Sequence, residues 1–159
     1  MPQMHVSAER TVPAPAAAVY ALLADYRNGH PSILPPAFSD LEVLRGGIGA
    51  GTEIRYALRL AGRKQVVEAS VYEPDPGRVL SEAYPDKSAV TRFTVEPAGS
   101  QSRVRIETTW ELSRGIAGLF ERLFAPRMFH KLYAEELDLI ERWAIESVSV
   151  TSPRPGEAR

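Results

Sequence analysis

The chain has 159 residues, 44% of them hydrophobic and 25% charged, with a formal net charge of −1, enough for a single domain with a sizeable core. The near-neutral balance argues against nucleic acid as a partner, because phosphate binding calls for a basic excess. With no cysteine, disulfides, thiol catalysis and cysteine-ligated metals are excluded.

The start, Met1 to Val6, lacks the basic-then-apolar pattern of a signal peptide. No apolar run approaches the ~20 residues of a membrane span. A cytoplasmic protein without stable membrane insertion is expected. Residues Met4 to Val12 are rich in Val, Thr and Ser and read as a first strand, ended by Pro13 and Pro15. Pro15 suits the first turn of a helix, and Ala16 to Ala24 follow with Val19, Leu22 and Leu23 at helical spacing. Asp25 to Pro31 break that helix, with Asp25 expected to satisfy turn N–H groups. A short helical turn at Ser32 to Leu34 precedes Pro35-Pro36.

Hairpins follow. Leu41 and Val43 share one face of a strand that ends at Gly46-Gly47. Gly46 to Gly51 suggests a phosphate cradle, but no helix follows it, so a plain glycine-rich connection is the favoured reading. Thr52 to Leu60 alternates Ile54, Tyr56, Leu58 and Leu60 with polar residues, the period of a sheet wet on one side. Strands are then expected over Lys64 to Tyr72, Val79 to Tyr84, Ala89 to Glu96 and Arg103 to Leu112, separated by Pro- and Gly-bearing turns.

A closing helix spans roughly Arg114 to Ser147. Its apolar residues before Pro126 (Ile116, Leu119, Phe120, Leu123, Phe124) and after it (Phe129, Leu132, Tyr133, Leu137, Ile140, Trp143) form stripes displaced by something over ~90° around the axis. An internal proline removes a hydrogen bond, so a bend or break near Ala125 is expected. The first part should cover the mouth of the sheet, with the second along its concave face. Residues 1–147 read as one domain and 148–159 as a polar, Pro-rich disordered tail.

Several segments together resemble the START-like (SRPBCC) superfamily of polyketide cyclase/dehydrase and lipid-transport type. They are Val12 to Tyr20, Ala24-Asp25-Tyr26, Gly49-Ala50-Gly51-Thr52, the turn from Glu73 to Leu80, and the long terminal helix. The resemblance implies an α+β helix-grip fold: a curved seven-stranded antiparallel sheet wrapped around a long kinked C-terminal helix, with two short helices after the first strand. It also implies a cavity between sheet and helix. Members include carriers of hydrophobic ligands, aromatase/cyclases and partners of other proteins. Many relatives carry Trp-Pro after the first helix, where this chain has His30-Pro31.

No catalytic constellation is recognisable. His5, His30 and His130 are scattered, so neither a metal nor any other cofactor is expected. Glu82 lies between Leu80 and Tyr84; facing inward, its carboxyl would have a raised pKa and could act as an acid or a ligand anchor. Facing outward it would simply be solvated, and the sequence leaves its face open. Glu82, Tyr56 and His30 are the candidate catalytic residues. Ile54, Tyr56, Leu58, Tyr84, Phe93, Trp110, Phe129, Tyr133 and Leu137 are the candidate ligand contacts. The leading expectation is binding of a small hydrophobic or aromatic ligand, lipid-like or polyketide-like. The alternatives are a cyclase/dehydratase acting on a polyketide-like substrate, and an interaction module whose apolar helix surface docks a partner or a second copy as a homodimer. Leu123, Phe124, Met128 and Phe129 are expected to form a gate.

Overall fold

The computed structural model describes residues 2–151, with side chains to Ser147. Seven strands form one antiparallel sheet: β1 (Gln3–Val12), β2 (Phe38–Arg45), β3 (Glu53–Leu60), β4 (Arg63–Asp75), β5 (Val79–Tyr84), β6 (Ala89–Ala98) and β7 (Gln101–Glu111). Their order across the sheet is β1-β7-β6-β5-β4-β3-β2. Helix α1 (Ala16–Ala24) and a 3-10 turn at His30–Ile33 follow β1, and helix α2 (Ile116–Thr151) closes the chain. This is the expected helix-grip architecture.

The chain's turn chemistry places α1 against the sheet. Pro15 caps the helix in extended conformation, and Asp25 Oδ1 accepts the backbone N–H of Arg27 and Asn28, each at 3.1 Å. The glycine-rich connection is structural, as its sequence implied. Gly49 N–H donates to Ala24 carbonyl at 2.9 Å, and Tyr26 N–H donates to Gly47 carbonyl at 2.8 Å. Ala50 N–H is already taken by the Glu73 carboxylate at 3.0 Å. Gly49 itself sits at φ +63°, and a Cβ there would approach Glu73 Oε2 to 2.7 Å. The loop clamps α1 to β4; its amides do not point at an open anion site.

Register layers the concave face of the sheet. Leu80, Phe93, Ile106 and Ala8 pair across β5, β6, β7 and β1 in an apolar row. The next row toward the other end runs Val71, Glu82, Thr91, Thr108 and Val6. The row after that runs Tyr84, Ala89, Trp110 and Met4. Cross-strand partners share a face, so a band of polar side chains lies between an apolar core and an aromatic rim.

Of the bend or break expected near Ala125, helix α2 shows no break: it continues through Pro126 and runs to Thr151, four residues past the expected end at Ser147. Residues 152–159 of the expected tail lie outside the described residues. Its two apolar stripes also have different fates. Leu132, Tyr133, Leu137, Ile140 and Ala144 are buried, whereas Ile116, Leu119, Phe120, Leu123 and Phe124 are 52–76% exposed. The first part therefore does not lay its apolar stripe over the sheet. On an unbroken helix the two stripes face different ways, and the sheet takes the one on the longer, better-filled half. Among the described residues no helix is long and apolar enough to cross a membrane.

Candidate functional site

Between sheet and α2 lies a cavity of about 660 Å³, within the roughly 300–1,000 Å³ of small-molecule sites. Leu58, Leu60 and Val67 form one wall, Ala89 and Trp110 another, and Met128 and Phe129 of α2 the roof. Trp110 and Phe129 pack at a tilt of 41° with centroids 5.1 Å apart, and the Phe129 ring lies 5.8 Å from that of Tyr133. At the inner end the lining becomes polar, with Tyr56, Tyr84, Thr91, Thr108 and Tyr133. Asp86, Lys87, Glu111 and Glu121 stand at the outer rim.

Six of the nine ligand candidates line this cavity: Tyr56, Leu58, Tyr84, Trp110, Phe129 and Tyr133. Ile54, Phe93 and Leu137 do not. They sit one layer deeper, at 1–2% exposure, because two residues along a strand or one turn along the helix carry a side chain past the polar band. Of the expected gate, Met128 and Phe129 face the cavity, while Leu123 and Phe124 lie on the exposed side of α2.

Behind the polar lining is a buried titratable cluster. Glu82 faces inward, which settles the orientation the sequence left open, and it is 4% exposed. The hydroxyl of Tyr26 donates to Glu82 Oε1 at 2.7 Å, and the hydroxyl of Tyr84 donates to Oε2. Tyr56 in turn donates to the Tyr84 oxygen at 3.2 Å. Burial, reinforced by the Glu82 charge, pushes the phenol pKa values of Tyr26, Tyr56 and Tyr84 upward, so these groups keep their protons.

His30 is buried between the ring of Tyr26, stacked at 4.6 Å, and the edge of Phe93 at 5.4 Å. It fills its place in the core as a flat ring with a polar edge. Its Nδ1 lies 2.8 Å from the Leu23 carbonyl; a carbonyl only accepts, so Nδ1 carries a proton. Nε2 then looks toward Glu82 Oε1 at 3.7 Å and Glu136 Oε1 at 4.0 Å. Glu136 on α2 is 3% exposed and its Oε1 has no hydrogen-bond partner. Burial, and then the neighbouring Glu82, drive its carboxyl pKa well above the usual range, favouring the protonated acid.

Next to Glu82 in the same row of the sheet, the hydroxyls of Thr91 and Thr108 are 2.7 Å apart, and Thr108 also bonds the Tyr133 hydroxyl. Neither Tyr26 nor Glu136 was among the sequence candidates. Tyr26 was hidden in a turn that reads as a helix stop. Glu136 had a legible signal: it stands four residues from both Leu132 and Ile140, inside the buried stripe of α2. His5 and His130 stay outside the cluster; His5 bonds Glu107 at 3.1 Å. Among the described residues no group of His, Asp and Glu is arranged to hold a metal.

Known proteins share this fold. The solution structure of KanY superposes with a TM-score of 0.79 at 33% identity, over 91% of this chain and 99% of that one. The Zhui aromatase/cyclase from Streptomyces sp. R1128 gives a TM-score of 0.76 at 18% identity, over 99% and 100% of the two chains. A START superfamily protein from Mycobacterium smegmatis gives 0.71 at 16% identity, over 89% and 97%. The last two likenesses establish the fold. No curated protein sequence matches this chain. A family model described as polyketide cyclase/dehydrase and lipid transport matches residues 3–143, and the chain belongs to that family.

Proposed function

We propose that the protein binds a small hydrophobic or aromatic ligand in the cavity between sheet and α2, with a polar group of the ligand at the inner tyrosines. The observation that carries this reading is the layering of the 660 Å³ cavity: aromatic and aliphatic walls toward the mouth, phenols and hydroxyls at the far end. Apolar surface supplies affinity, and a few fixed polar groups set orientation. A melting screen against long-chain lipids and polycyclic aromatics tests it. A ligand at a hundred times its dissociation constant stabilises by about 2.7 kcal/mol, or roughly 5–10 °C for a chain of this size. Flat melting curves across the whole library would overturn the reading.

An enzyme acting on a polyketide-like substrate is the second reading. Its support is the carboxyl of Glu82, buried directly behind a phenol that reaches the cavity. The name of the aromatase/cyclase neighbour adds an analogy at the level of the fold.

A further inference from the structure

We propose that the first half of α2 is a docking surface for an anionic lipid bilayer: the apolar stripe before Pro126 enters the acyl boundary, and the basic turn after it meets the phosphates. The proposal stands on the outer face of the helix and does not depend on what the cavity holds.

Charge and its position along the helix carry it. Ile116, Leu119, Phe120, Leu123 and Phe124 are 52–76% exposed, and the rings of Phe120 and Phe124 stack with centroids 5.7 Å apart. Seven residues make almost two helical turns, so Arg127, His130 and Lys131 continue the lines of Phe120, Leu123 and Phe124, and they are likewise exposed. From Arg114 to Lys131 the chain sets four basic side chains against one carboxylate, although its overall charge is −1. That carboxylate, Glu121, accepts the Ser113 N–H at 3.1 Å and the Ser113 hydroxyl, and it lies at the cavity rim. Among the described residues Arg114, Arg122, Arg127 and Lys131 make no ion pair, whereas Arg10, Arg55, Arg78 and Arg105 do.

An interfacial helix needs an apolar face that sinks about 5–10 Å into the headgroup and acyl boundary, with Lys and Arg at its border. From Ile116 to Phe124 the stripe runs roughly 12 Å along the axis. The basic turn follows at once, and the carboxylates Glu135, Asp138 and Glu141 come only after it. A helix tilted into the surface by its first turns therefore buries the rings, holds the cations at phosphate depth and keeps the acids in water. Beside the stripe, a groove of about 390 Å³ is bordered by Leu112, Leu119, Arg114 and Arg122. Two guanidiniums over apolar walls suit a phosphodiester and the start of its acyl chain. A second copy fits worse. A parallel pair opposes the two basic turns, and an antiparallel pair centred on Phe120 brings Arg127 of one copy toward Arg114 of the other.

The test is cosedimentation with sucrose-loaded vesicles, made of phosphatidylcholine alone or of equimolar phosphatidylcholine and phosphatidylglycerol. Wild type should pellet with the mixed vesicles, bind pure phosphatidylcholine about tenfold more weakly or less, and detach as salt rises. Leu123→Gln combined with Phe124→Gln should weaken binding by more than about tenfold at an unchanged melting temperature. At about fivefold for each basic group, Arg122→Gln combined with Arg127→Gln should weaken it roughly twentyfold on the mixed vesicles. Val66→Gln, which removes an apolar side chain 65% exposed on β4, should bind like wild type. Failure to pellet with the mixed vesicles, equal binding to both compositions, or undiminished binding of either double variant would overturn the proposal. So would a stripe-dependent dimer in sedimentation that leaves the vesicles bare, which would give the surface to a second copy.

Discussion

The two halves of α2 share one helix and one apolar content but do opposite work. Beyond Pro126 every large apolar side chain from Leu132 to Ile140 is sealed against the sheet or the 3-10 turn, except Leu139, which is partly buried. Before it, five large apolar side chains face away from the protein, and the segment touches the cavity through Glu121 and Ala125. The difference teaches that one stripe of a helix is enough to close a grip. A second stripe, rotated around the axis, is surplus to the fold and remains as surface. Such an apolar strip is uncommon on an isolated monomer.

The comparison is broken most forcefully at Leu137. Truncating this fully buried residue to alanine should cost about 2–5 kcal/mol in urea unfolding. A loss as small as that of a surface change would mean the second half is not the anchor.

Glu136 sharpens the same half. Its folded pKa is raised above the ordinary value of 4.5 by burial and by Glu82. The contribution of the neutral acid is therefore full below pH ~4.5 and is lost as pH rises toward and through the folded value. Glu136→Gln keeps the shape without the ionisation. It should match wild type near pH 4.5 and become more stable by roughly 1–3 kcal/mol as pH rises. Parallel stability curves would show that the carboxyl is not held neutral by the fold.

The junction comes next. Pro126 supplies no N–H to the carbonyl of Arg122, so Pro126→Ala should stabilise by about 1 kcal/mol or more. If the roof of Met128 and Phe129 moves at this point, it should also slow ligand exchange, seen as sharper, slower-interconverting NMR signals. The smallest effect belongs to the first half: Leu123→Gln and Phe124→Gln should change stability by less than ~0.5 kcal/mol. Sedimentation of the wild type reads whether a second copy covers this stripe. A strict monomer at high concentration disposes of self-association.

Much of this was legible in the sequence, for reasons that differ by element. Period-two alternation set β3 and β7, and the Pro15 and Asp25 signals bounded α1 within a residue. The displaced stripes of α2 could also be read, but not which one the sheet would bury, since that depends on the space left by distant strands. Tyr84 shared the undecided face of Glu82, whereas Tyr56 and Tyr133 were recognisable as aromatics on apolar faces. Depth was not: Phe93 and Tyr84 alternate equally well, and only the register across β5, β6 and β7 assigns one to the core and the other to the cavity. The link from Glu82 to Tyr26 joins residues 56 positions apart, beyond any local pattern.

The most direct test of the central claim is an NMR titration with 2-naphthol, whose rings match the cavity walls and whose hydroxyl matches the inner phenols. The account predicts shifts concentrated on Leu58, Ala89, Thr91, Thr108, Trp110 and Phe129, with nuclear Overhauser contacts from the naphthol to the rings of Tyr56 and Tyr84. Shifts confined to the outer face of α2, from Ile116 to Phe124, with the cavity residues unmoved, would contradict it.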